Sequence, residues 1–217
     1  MNRNEKCWYK NVCTYDFCTN CIRYAEMKYL MDNSGIPSNR QKPQILTAGV
    51  DLNEYSKLAT IKDDIVNFIE DGQNLYICSR HTGNGKTSWA LKLLLKYFDQ
   101  IWCGNGFKVR GIFVNVPTLL LQLKNFGNPL SEEYKKNLME ADIVVWDEIA
   151  STTISNYDYG NLLMFLDHRI FADKSNIFTS NATTKEELEQ NVGAKLASRI
   201  WNTSTIIEFN GKDRRHD

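Results

Sequence analysis

The chain has 217 residues, 42% hydrophobic and 24% charged, with 26 Lys and Arg balancing 26 Asp and Glu. That length holds one large domain or two unequal ones, and no run approaches the ~20 consecutive apolar residues of a membrane helix. A net charge of zero supplies no global basic field for coating nucleic acid, so DNA contact is expected to be local or made by a partner.

The opening MNRNEKCWYK is polar and contains no apolar stretch of signal-peptide length, which points to the cytoplasm. Four of the six cysteines follow in the spacing C-x5-C-x4-C-x2-C: Cys7, Cys13, Cys18 and Cys21. Disulfides are disfavoured in the cytosol, and four thiolates make one tetrahedral zinc site; the same ligands also suit an iron–sulfur cluster. Trp8, Tyr9, Tyr15 and Phe17 either offer aromatic surface to a partner or pack around the metal, since so small a module has little other core. With a helix over Ile22 to Met31, residues 1–31 read as this module. Residues 32–47 read as a linker because DNSGIPSNRQKPQ, with its glycine and two prolines, discourages helix and strand alike.

Residues 48–217 alternate helices with short strands, the pattern of an α/β domain with a parallel sheet. Thr60 and Asp63 resemble a capping box, and Ile61, Ile65, Phe68 and Ile69 recur at helical spacing until Asp71 and Gly72. Strands are predicted at Leu75 to Ser79, Val109 to Asn115, Asp142 to Trp146, Ile177 to Ser180 and Thr205 to Phe209. Helices are predicted over Lys86 to Phe98, from Pro117 to near Phe126, and over Asn156 to Ile170. A last one is capped by Thr184 with Glu187 and runs through Leu188, Val192 and Leu196. Five strands suffice for one sheet. Cys78 and Cys103 read as unpaired thiols, Cys78 in a buried strand.

RHTGNGKTS, residues Arg80 to Ser88, lies between a predicted strand and a predicted helix, the context that makes a glycine–lysine string a phosphate loop. Gly83 and Gly85, flanking Asn84, let backbone amides turn toward phosphate oxygens, Lys86 adds a cation at the β/γ-phosphates, and Thr87, followed by Ser88, offers a hydroxyl to Mg²⁺. The chemistry matches ATP or another nucleoside triphosphate. Arg80 stands where the usual pattern has its first glycine, so altered entry geometry is expected. IVVWDE, Ile143 to Glu148, delivers two carboxylates at a strand end: Asp147 to hold Mg²⁺ and Glu148 to orient or deprotonate the attacking water.

With these motifs in place, IFTSN (Ile177 to Asn181) resembles the sensor-1 strand of AAA+ ATPases, which implies that Asn181 feels the γ-phosphate. KLASRI (Lys195 to Ile200) is similar to the Ser-Arg-hydrophobic element of the DnaA/DnaC-like branch, which implies that Arg199 is an arginine finger supplied in trans to an assembled neighbour. SGIPS, FVNVPTLLLQLK (Phe113 to Lys124), LDHRI (Leu166 to Ile170) and FNGKDRR (Phe209 to Arg215) extend the likeness to DnaC/DnaI-type helicase loaders and the related IstB transposition ATPases, across roughly Ser34 to Arg215. The resemblance implies a Mg-dependent ATPase on an AAA+ core without a full C-terminal lid, Arg214 being a weak substitute for the sensor-2 arginine. It implies loading of a hexameric replicative helicase onto single-stranded DNA, with the cysteine module binding the helicase. The alternative it implies is an IstB-like regulator that hands target DNA to a transposase. The stretch Leu119 to Lys124 reads either as core or as a wall facing DNA.

Overall fold

The computed structural model of the chain describes residues 22–41, 46–102, 104–124, 130–151, 154 and 156–213. Cys7, Cys13, Cys18, Cys21, Cys103 and Arg214 fall outside them. Among the described residues five strands form one sheet: β1 (Asn74–Cys78), β2 (Gly111–Asn115), β3 (Ile143–Asp147), β4 (Ser175–Ser180) and β5 (Ser204–Glu208). Their order is β2-β3-β4-β1-β5, and every neighbouring pair is parallel. The expected α/β core with a five-stranded parallel sheet is therefore present. Among the described residues no helix is long and apolar enough to cross a membrane.

The central strands are buried along their whole length, as a parallel sheet covered on both faces requires. Alternate side chains serve opposite layers. Leu75, Ile77, Phe113, Ile143, Val145, Ile177 and Ile207 pack against α1 (Ile22–Asp32), α2 (Leu52–Asp63), α3 (Ile65–Glu70) and α4 (Lys86–Ile101). Tyr76, Ile112, Val114, Val144, Trp146 and Phe178 face α5 (Val116–Leu123), α6 (Glu132–Glu140), α7 (Asn156–Phe171), α8 (Lys185–Val192) and α9 (Ala194–Thr203). Each fully buried aliphatic or aromatic side chain contributes about 1.5–3 kcal/mol.

Three local expectations change. Thr60 does not open a helix: it lies in the last turn of α2, its hydroxyl donating to the Ser56 carbonyl at 3.2 Å, and the chain breaks at Asp64 before α3. The apolar spacing continues across the break because both helices cover the same sheet face. The helix capped by Thr184 ends at Gly193, whose φ of 81° would strain any other residue and whose Cβ position lies 3.0 Å from the Tyr159 ring, so α8 and α9 are two helices. Helix α6 is an addition, capped by Ser131, with Glu132 and Glu133 in its first turn. It buries only Leu138 fully, too weak a signal for periodicity.

Helix α1 and the segment after it are docked against the domain. Met27, Leu30, Met31 and Ile36 join the core. Phe113 N on the edge strand β2 donates to Ser34 O at 2.6 Å, and the space of a Cβ on Gly35 (φ 68°) is filled by Phe113 O. This backbone contact covers an edge that would otherwise be open to pairing. Glu26 of α1 accepts from the amides of Gly104 and Gly106 at 3.0 and 3.4 Å. In α5, Leu119 and Leu120 are core, whereas Leu121 is exposed.

Candidate functional site

The carboxyl ends of β1, β3 and β4 converge, which is where open α/β sheets place ligands. After β1 the chain turns through residues 79–85 and enters α4 at Lys86, with Gly85 at the N-cap in a left-handed conformation (φ 100°). Gly83 has φ 70°, and the carboxylate of Asp213 occupies the place of a Cβ there. Both positions require glycine. Asn84 is buried and braces the loop: its side-chain amide donates to Ser79 Oγ and, at 3.4 Å, to Gly211 O. Asp51, buried at the start of α2, accepts from Asn210 N and Gly211 N at 2.7 and 3.2 Å. Residues 209–213 thus strap α2 to the loop.

Lys86 Nζ donates to His81 O at 2.9 Å and to Asn84 Oδ1 at 3.4 Å, within the loop. Opposite it, one oxygen of Asp147 accepts from two hydroxyls, Thr87 and Thr179, each at 2.7 Å. Thr179 in turn accepts from Glu148 N at 3.0 Å, and its carbonyl accepts from Ile149 N. Glu148 is exposed and left-handed (φ 60°), a costly backbone for a non-glycine residue that persists where its surroundings fix it. Asn115, at the end of β2, donates to Glu148 Oε2 at 3.5 Å while capping α5 through Thr118 N.

Glu148, Asn181 and the loop residues Thr82 to Ser88 line a cavity of about 570 Å³, within the range of small-molecule sites. Its other wall comes from Arg40, Leu46, Thr47 and Tyr55. The structure thus brings together Gly83, Asn84, Gly85, Lys86, Thr87, Ser88, Asp147, Glu148 and Asn181. Arg199 is not a lining residue; it lies on α9, paired with Asp167 of α7. Beside the site, burial, reinforced by Glu208, pushes the Cys78 thiol up to about 12, so it is no nucleophile at neutral pH.

Thr179 and Asn115 are not legible as site residues in the sequence, nor are Arg40 and Tyr55. The available signal is a polar Thr within the buried run of β4 and an Asn ending β2, since buried polar groups demand partners.

A family model described as IstB-like ATP binding protein matches residues 44–216. No curated protein sequence matches the chain. Among solved structures, the chain is similar to the DnaC helicase loader (TM-score 0.66, 17% identity, 80% of this chain and 100% of that one). It is similar also to DnaI (0.62, 19%, 81% and 95%) and to AMPPCP-bound DnaA from Aquifex aeolicus (0.60, 16%, 83% and 53%). At these identities the likeness is one of fold, an AAA+ P-loop core.

Proposed function

This chain belongs to the IstB-like ATP-binding proteins, and from that premise we propose that it hydrolyses ATP with Mg²⁺ and uses the cycle to place a hexameric replicative helicase on single-stranded DNA. The observation that carries the hydrolytic reading is the chain of hydrogen bonds from Thr87 through Asp147 and Thr179 to the Glu148 amide, which joins the pair that would ligate the metal to the residue that would act as base. Two oxygens 2.7 Å apart beside a phosphate loop fit a hard cation. Thr87 and Asp147 would hold Mg²⁺, which supplies charge neutralisation at the β/γ-oxygens. Loop amides and Lys86 bind the phosphates, Glu148 accepts the proton of the attacking water, and Asn181 orients that water against the γ-phosphate. ADP and phosphate leave.

The loader reading is supported by the likeness to DnaC and DnaI over nearly the whole of those chains. In it, Arg199 completes a neighbour's site, so subunits assemble on ATP. Cys7, Cys13, Cys18 and Cys21 hold one zinc in residues 1–31, the helicase-docking module, whose α1 packs with the start of segment 32–47 on the ATPase domain 48–217; an iron–sulfur cluster is the other occupant those ligands suit. Such a protein works in the cytoplasm. A second reading, a regulator of transposition that delivers target DNA, is favoured by the IstB-like family match and shares the same site.

The test traps the ATP state with Glu148→Gln and captures partners from a host lysate with and without ATP. ATP-dependent recovery of the replicative helicase, abolished by Cys18→Ser with Cys21→Ser, supports loading through the N-terminal module. Recovery of a transposase instead moves the assignment to the second reading. Metal analysis separately expects about one zinc per chain, and a metal-free, fully active protein overturns that assignment.

A further inference from the structure

Arg80, in place of the usual first loop glycine, reaches across to the start of α8. Its Nε donates to Thr183 Oγ1 at 3.1 Å and its Nη2 to Glu187 Oε1 at 3.2 Å. The other oxygen of Glu187 accepts from Thr183 N at 2.7 Å, from the Thr183 hydroxyl at 3.2 Å and from Thr184 N at 3.3 Å. The Thr183 hydroxyl therefore donates to Glu187 and accepts from Arg80, which closes a triangle. Chiefly through the Thr183 amide, the Glu187 carboxyl is held below its usual range, so it is ionised when it meets Arg80.

This triangle joins two functional segments. On one side, Arg80 opens the loop that ends in Lys86 and Thr87. On the other, Thr183 and Glu187 anchor the turn that carries Asn181, whose neighbour Ala182 is also held by Tyr76 Oη at 2.9 Å. From that turn, α8 packs on α9 through Leu188, Val192, Leu196 and Ile200, and α9 carries Arg199. A continuous path of hydrogen bonds and packed side chains thus runs from the phosphate loop to the helix bearing the proposed finger. The Arg80 side chain is 67% exposed, and exposed ion pairs contribute little to stability. Its two acceptors lie on two residues, a fork that a lysine cannot reproduce.

We propose that Arg80 is a positioning residue that ties the phosphate loop to the α8–α9 pair, so that a triphosphate on the loop is registered at the Arg199 face. The proposal rests on the nucleotide-binding reading above. Its test is hydrogen exchange followed by mass spectrometry, with and without a non-hydrolysable ATP analogue.

In the wild type, the analogue slows exchange both in peptides over 80–88 and in those over 185–203. Arg80→Ala keeps the protection at 80–88 and weakens that at 185–203 about ten-fold. Glu187→Gln, which retains a capping acceptor, behaves alike, and the double variant is no worse than either single one. Arg80→Lys does not restore the distal effect. Unchanged protection at 185–203 in Arg80→Ala overturns the proposal, as does a wild type protected only at 80–88. If 80–88 is unprotected in the wild type, as expected only for Lys86→Ala, the nucleotide reading itself fails and takes the proposal with it.

Discussion

Arg199 on α9 is held by Asp167 on α7, the guanidinium facing both carboxylate oxygens, with Nη2 and Oδ2 3.1 Å apart. The pair lies within one subunit and is about one-third exposed. A finger acting on a neighbour's nucleotide must exchange this carboxylate for phosphate oxygens. Arg199→Ala is expected to leave ATP affinity intact and to lower turnover of the assembled protein by about 10³-fold or more. Asp167→Asn should raise turnover at low subunit concentration, because the arginine no longer has to leave an anion. Steady-state rates across a dilution series check both, and full activity of Arg199→Ala would falsify the finger assignment.

Thr179 holds the two acidic residues in register. Glu148→Gln is expected to bind ATP normally and to lose about 10²–10⁴-fold in kcat, the contribution of a positioned base. Thr179→Val leaves Asp147 short of one donor at a cost of about 1–3 kcal/mol, and should lower kcat with little change in KM. Nucleotide titration, turnover and urea unfolding of the same preparations separate these effects. A Thr179→Val protein with wild-type kcat would show that Glu148 is placed without the Thr179 hydroxyl.

Arg169 is fully buried and donates to the carbonyls of Leu138, Ala141 and Ser175 and to Asn176 Oδ1 at 2.5–3.0 Å. Burial lowers its guanidinium to about 9, still above neutral pH, so it remains a cation stitching α6, α7 and β4. Arg169→Met is expected to cost about 3–5 kcal/mol, since several buried acceptors lose their donor at once. Urea unfolding measures it, and a loss below about 1 kcal/mol, the level of a single ordinary hydrogen bond, would contradict that role.

Burial alone would raise the Asp142 carboxyl, but hydrogen bonds from Arg110, Lys174 and Tyr97 outweigh it and hold it below the usual carboxylate range. A carboxyl lowered on folding stabilises the fold above its unfolded value of about 4, and that contribution is lost as pH falls through the lower folded value. The difference in melting temperature between wild type and Asp142→Asn should therefore be constant from pH 7 to about 5 and shrink below about 4. A difference that grows toward acid pH would reverse the sign of the linkage.

The strands and the chemical motifs were legible in the sequence because their signals are local. A buried β-branched run, a glycine pair before Lys-Thr and two acids ending an apolar strand each lie within one short window. That is why Lys86, Thr87, Asp147 and Glu148 stand out in the sequence as candidate site residues. Helix ends were less legible: apolar spacing passes unbroken through Asp64 and Gly193, where the backbone leaves helical geometry with φ of −117° and 81°. Whatever depends on which strand lies beside which was decided by tertiary structure alone. Thr179 reaches Asp147 because β4 adjoins β3, and Phe113 meets Ser34 because β2 is an edge. Arg80 finds Glu187 over more than a hundred residues of separation, because β1 and β4 end side by side. Such hydrogen bonds are specified by the order of strands, which no local run of residues encodes.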